Sequence, residues 1–176
     1  PAKYIPALEK AGASITLRQL LNHTSGYEFS PFPRSRSSYA NLRESVDDLS
    51  ALGPEHPPGK IRYSDAGTAT LGAVFEAASG KSLQELIQEH VFKPLGMTNS
   101  LSEYTATSPL SGNMNSTHAW NREDRQHERY WHPDEPQIMS YFRASGGVYS
   151  TVFDYAAFIE AWRKGGAFSG GRLLRE

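Results

Sequence analysis

The chain has 176 residues, 38% hydrophobic and 21% charged, with a formal net charge of −1, enough for one domain with a sizeable core. Its near-neutral balance and lack of a basic block give no footing for nucleic acid or an anionic membrane surface. The absence of cysteine excludes disulfides, a thiolate nucleophile and cysteine-bound zinc, and no apolar run approaches the ~18 residues of a membrane helix.

Pro1–Lys10 does not read as a signal peptide. The chain opens without an initiator methionine and stops at Leu173-Leu174-Arg175-Glu176 with no tail composition, so both ends read as cuts in a longer protein.

Along the chain, helices are signalled by caps and spacing. Thr16 with Gln19 makes a capping box ahead of Leu17, Leu20 and Leu21, and Gly26 follows. Residues 44–51, with Val46 and Leu49, predict a short helix, and Pro54, Pro57, Pro58 and Gly59 force a loop after it. The stretch from Asp65 to about Ala78 predicts a buried central helix, because Leu71, Val74 and Phe75 lie among alanines on more than one face. Gly67 and Gly72 each cost ~1 kcal/mol inside it relative to alanine, which close packing would offset. Ser82 with Glu85 caps the next helix, whose stripe is Leu83, Leu86, Ile87 and Val91, and Pro94 is expected to stop it.

Residues 100–117 are rich in Ser, Thr and Asn and suggest no regular element. Trp120, Tyr130, Trp131, Tyr141 and Phe142 sit among charges in 118–142, which suits short strands or a cleft-lining loop. Gly146–Ser150 reads as a short extended piece. Thr151 with Asp154 opens a last helix with the face Val152, Tyr155, Ile159 and Trp162, closed by Gly165-Gly166. With no internal repeat and no alternation of strands and helices, the expected class is mainly α with a few short strands.

Four segments, in this order, resemble the serine β-lactamase-like family of class C β-lactamases, DD-peptidases and related esterases. They are Ile15–Gly26, which contains Leu20-Leu21-Asn22-His23-Thr24-Ser25-Gly26; Pro58-Gly59-Lys60-Ile61-Arg62-Tyr63-Ser64-Asp65 with Leu71-Gly72; Ser79-Gly80-Lys81-Ser82-Leu83 with Pro94-Leu95-Gly96-Met97; and Gly146–Thr151. The resemblance extends over nearly the whole chain, from about residue 10 to 175. The resemblance implies that residues 1–176 are one partial domain, the helical portion of an α+β β-lactamase/transpeptidase-like fold.

In that family a Ser-x-x-Lys turn supplies the nucleophile, a Tyr-x-Asn-like tripeptide the tyrosine, and a Lys/His-x-Gly strand borders the acyl site. Only the middle motif is present. None of the six lysines has a serine three residues before it, and none of the six histidines has a glycine two residues after it. The resemblance therefore implies a central segment of a serine hydrolase, inactive alone, whose parent attacks an ester or amide through an acyl-serine. It makes a periplasmic or extracellular parent plausible. Apolar faces such as Leu71, Val74 and Phe75 would then be uncovered, favouring self-association.

Tyr63 is the expected catalytic residue. A phenol has a pKa near ~10 and becomes a useful base only where positive charge favours the phenolate or a shared proton. The start of a helix at Ser64 or Asp65 would place such a potential beside it. Asp65 stands where the β-lactamases and DD-peptidases carry asparagine. An ionised carboxylate accepts hydrogen bonds but donates none, which shifts the expectation toward ester hydrolysis or acyl transfer and away from β-lactams and peptides. Asp65 and Trp120 are the expected substrate-binding residues, Trp120 with Tyr130 and Trp131 as a wall of the acyl pocket. His23-Thr24-Ser25-Gly26 reads as a structural turn, with His23 bonding the last helix carbonyls and Gly26 left-handed. Ser25 lacks the Gly-x-Ser-x-Gly setting of an elbow nucleophile.

Two rival readings come from other classes. His127-Glu128 with His132 approaches a zinc-protease pattern, but i and i+5 are turned ~140° apart on a helix; a site on irregular backbone would draw on His118, His127, His132 and Asp134. A non-catalytic binding module of the same fold is the other. Nothing in the sequence calls for a metal or organic cofactor.

Overall fold

The computed structural model describes residues 1–10, 14–102, 110–136 and 140–174. Helices carry most of its regular structure: α1 (Ala7–Lys10), α2 (Leu17–Leu21), α3 (Leu42–Leu52), α4 (Asp65–Ser79), α5 (Leu83–Ile87), α6 (Lys93–Leu95) and α7 (Val152–Arg163). The strands are short and pair antiparallel in twos, β1 (Thr117–Asn121) with β2 (Gln126–Trp131), and β3 (Ala167–Phe168) with β4 (Gly171–Arg172). The region 118–142 is thus in large part a hairpin, with 137–139 outside the described residues.

The caps form as their residue types dictate. Thr16 Oγ1 accepts from the Gln19 N–H while the Gln19 side chain accepts from the Thr16 N–H, and Ser82 and Glu85 repeat the box at α5. Thr151 caps α7 through the Asp154 N–H. The helix expected over 44–51 begins earlier, because Asn41 Oδ1 accepts from the Glu44 N–H. The helix after Ser82 runs past Pro94, against expectation. Proline has no N–H for the carbonyl four residues back and crowds it; a π-helical turn over Gln88–Phe92, with the Lys93 N–H on the Gln88 carbonyl, opens the spiral there. Left-handed Gly96 ends it. In 100–117, where no regular element was expected, Leu101 pairs with Tyr149 through two 2.8 Å hydrogen bonds. Ser111–Asn113 forms a 3₁₀ turn, and 103–109 lie outside the described residues.

The core is assembled around α4. Ala66, Ala69, Leu71, Ala73 and Val74 are buried with Leu20 of α2, Leu42, Val46 and Leu49 of α3, and Leu83 of α5. Each such leucine or valine contributes roughly 1.5–3 kcal/mol. Gly72 makes the crowding possible: a Cβ there would lie 2.5 Å from that of Ala144 and 3.2 Å from Leu42 and Leu83. Leu71 and Val74 are therefore enclosed, not uncovered as the sequence suggested, while Phe75 of the same helix is 41% exposed, as expected. A larger uncovered apolar face belongs to α7, where Val152, Phe153, Tyr155, Ile159 and Trp162 all face solvent.

Candidate functional site

The site grows from two turns laid against each other. After Asn22 ends α2, His23 adopts φ 58 and Gly26 φ 89. A Cβ on Gly26 would lie 2.0 Å from the His56 carbonyl oxygen, so only glycine fits where the two loops meet. Three backbone hydrogen bonds then zip the loops together: His56 N–H to Gly26 O (3.1 Å), Gly59 N–H to Thr24 O (2.9 Å) and Arg62 N–H to His23 O (2.8 Å).

That zipper delivers Tyr63 to the start of α4. Ser64, fully buried, is the N-cap: its Oγ accepts from the Gly67 N–H at 2.9 Å and donates to the Glu28 carbonyl at 2.8 Å. The Asp65 N–H donates to the Phe29 carbonyl at 2.9 Å. Between these anchors the Tyr63 ring stands outward, 60% exposed, with its centroid 4.8 Å from the His23 ring and 5.8 Å from that of Phe29. Its backbone is held while its phenol meets solvent at the positive end of a 15-residue helix.

Charge is arranged around this end. Glu28 Oε1 lies 2.5 Å from His56 Nε2 and 3.9 Å from Arg62 Nη1. The His56 hydrogen bond above all, helped by the Arg62 charge, holds the Glu28 carboxyl below the usual carboxylate range. The neighbouring Tyr27 is buried, and burial, followed by the Glu55 carboxylate, pushes its phenol up to about 12. Tyr27 stays protonated and structural; of these two neighbouring tyrosines, Tyr63 reaches solvent.

Asp65 opens the first turn of α4 and is only 7% exposed. Trp120 lies on the hairpin, half exposed, with its ring edge-to-face on His127 at 5.1 Å. Trp131 is a packing anchor: it is buried, its indole N–H donates to the Pro136 carbonyl, and its ring faces Tyr149. Tyr63 and Asp65 thus share one helix end, while Trp120 sits on a separate element. Among the described residues no three His, Asp or Glu side chains gather as metal ligands; His127 packs on Trp120 and His132 Nδ1 accepts from the Asp134 N–H.

The His23 N–H donates to the Leu20 carbonyl of α2 at 3.5 Å, as expected. Its ring turns elsewhere: Nδ1 accepts from the Ser64 N–H at 3.2 Å. The left-handed φ turns the side chain away from α2 and toward the loop. Phe29 beside Tyr63 carried no motif, and only the fold brings it there.

Comparison with known proteins gives this geometry a setting. A family model described as Beta-lactamase matches residues 1–176. Among curated relatives, the lovastatin esterase of Penicillium rubens is 33% identical over 94 residues, covering 49% of this chain and 24% of its own. Penicillin-binding protein 4 of Amycolatopsis lactamdurans is 30% identical over 90 residues, covering 51% and 24%. The chain spans less than half the length of the curated relatives it matches. Among solved structures, EstCE1, described as a hydrolase with promiscuous acyltransferase activity, superposes with a TM-score of 0.75 at 19% identity, over 97% of this chain and 52% of its own. At that identity the likeness is one of fold. The match of the family model along all 176 residues makes the chain a member of the beta-lactamase family, whose members are serine hydrolases.

Proposed function

We propose that residues 1–176 are one partial domain, the helical portion of a serine hydrolase, supplying Tyr63 to an acyl-transfer reaction on small esters or amides. The observation that carries this reading is the Tyr63 ring held outward at the N-terminus of α4 by a backbone anchored on both sides. Where a neighbouring cation holds it as the phenolate, a phenol so placed can take the proton of a serine hydroxyl. The serine oxygen bonds to the substrate carbonyl carbon, and its proton passes to the Tyr63 oxygen. The tetrahedral intermediate then collapses as the same proton moves to the leaving oxygen or nitrogen. Water repeats the sequence on the acyl-serine and frees the acid.

Asp65 lies beside the bound acyl group, and as an acceptor-only carboxylate it favours esters over amides. The names of the relatives, an esterase and a penicillin-binding protein, agree with a small acyl substrate. Trp120 forms a wall of the acyl pocket from the hairpin. The α7 face, bearing Val152, Phe153 and Trp162 in solvent, promotes self-association of the isolated chain.

The sequence holds no Ser-x-x-Lys, so the nucleophile comes from outside these residues and the 176-residue chain is inactive alone. Nitrophenyl-ester turnover and labelling by a serine-directed phosphonate test this. Neither should occur; stoichiometric labelling of a serine in the chain would place the nucleophile within it.

A further inference from the structure

The caps of three helices differ in one respect. At α2 and α5 the third helical residue, Gln19 or Glu85, accepts the N–H of the capping residue. At α4 that third residue is Gly67, which has no side chain to do so. The Ser64 N–H lies in a fully buried residue, and a buried donor needs a partner. The partner is the His23 imidazole, 41 residues away in sequence, through Nδ1 at 3.2 Å.

His23 is built for this. Apart from glycines, only His23 and Arg125 among the described residues have positive φ. The left-handed backbone of His23 swings its ring across the loop, where Nδ1 meets the Ser64 N–H and the ring face meets Tyr63, 4.8 Å between centroids. The same residue's carbonyl accepts from the Arg62 N–H. One residue therefore grips the segment on both sides of Tyr63 and touches the ring between.

From this geometry we infer that His23 is a positioning residue for Tyr63, acting through the Nδ1 lone pair as a remote replacement for the missing capping-box acceptor. Accepting from an N–H requires an unprotonated Nδ1, so the neutral ring carries its proton on Nε2. The inference deepens the reading of Tyr63 as the catalytic phenol and rests on it for its catalytic consequence. The latch itself is a property of the fold and is measurable without any reaction.

Two measurements test it. Nitrogen-15 spectra of the histidine rings should show His23 with Nε2 protonated and Nδ1 coupled to the Ser64 amide; a proton on Nδ1 would overturn the assignment. The variants then separate acceptor from ring. His23→Asn puts an amide oxygen near the Nδ1 position and tolerates a left-handed backbone, whereas His23→Phe keeps an aromatic face and loses the acceptor. Hydrogen exchange at the Ser64 amide should quicken about tenfold or more in His23→Phe and stay near native in His23→Asn. Equal protection in both variants refutes the latch. If His23→Phe does not fold, the ring spectra of the native protein still decide the question. In a form of the protein with a working nucleophile, His23→Phe should lower kcat at nearly constant KM, with His23→Asn restoring it. Should Tyr63→Phe prove fully active while Ser64 still loses protection in His23→Phe, the catalytic reading fails and the latch stands.

Discussion

Helices α4 and α7 carry comparable apolar content and meet opposite fates. In α4 nearly every residue from Asp65 to Val74 is buried; in α7 only Asp154 and Ala161 are. The difference lies in what surrounds them. Three helices and Ala144 close on α4, with Gly72 giving them room. α7 is tethered by polar atoms at its start instead: Asp154 Oδ2 accepts from the Asn99 N–H at 2.7 Å and from the Ser100 hydroxyl at 2.8 Å. Its apolar stripe is left facing out. The candidate site stands on the over-determined helix, where an exposed phenol can be held by a buried frame, and this is how a reactive group is kept both accessible and fixed.

The contrast can be broken at three places. The largest effect is expected at the frame itself. Gly26→Ala would force a methyl group to within 2.0 Å of the His56 carbonyl at φ 89, for a loss of about 3 kcal/mol and a melting temperature lower by roughly 10 °C. Thermal unfolding checks this, and a change under 1 kcal/mol would mean that the two loops are not closely apposed.

A pH-dependent loss comes next. The Tyr27 phenol is pushed up to about 12 by burial and then by Glu55, so the fold favours its neutral form. That stability is whole below pH ~10, the ordinary tyrosine value, and is lost as pH rises through about 12. Melting followed from pH 9 to 12 should show a fall that is shallower in Tyr27→Phe. An identical slope in both proteins would contradict the burial of that hydroxyl.

The smallest effect is expected on α7. Phe153 is 87% exposed, and Phe153→Ser should change stability by no more than about 0.5 kcal/mol while reducing any self-association. A loss above 2 kcal/mol by urea unfolding would show that this face is covered in solution, which would remove the contrast with α4.

What the sequence disclosed follows the range of the forces involved. Capping residues act over three positions, so Thr16, Ser82 and Thr151 announced their helices correctly. The stop expected at Pro94 failed because the preceding turn widened, an adjustment that no local signal marks. The partner of the Ser64 N–H was illegible: nothing in His23-Thr24-Ser25-Gly26 states that its ring will cap a helix 41 residues on, although Gly67 at the third helical position signals that some distant acceptor is needed. The four family-like segments carried Tyr63 into view, and its residue type alone would not have done so. The α7 stripe marked its helix correctly but not its exposure, since periodicity shows which face is apolar and not whether anything lies against it.

The central claim is that the Tyr63 oxygen moves the proton in acyl transfer, and kinetics of Tyr63→Phe test it most directly. In a form of the protein that carries a Ser-x-x-Lys nucleophile and hydrolyses nitrophenyl esters, kcat/KM should fall about 10²–10⁴-fold with the melting temperature unchanged. Undiminished turnover by a correctly folded Tyr63→Phe protein would contradict it.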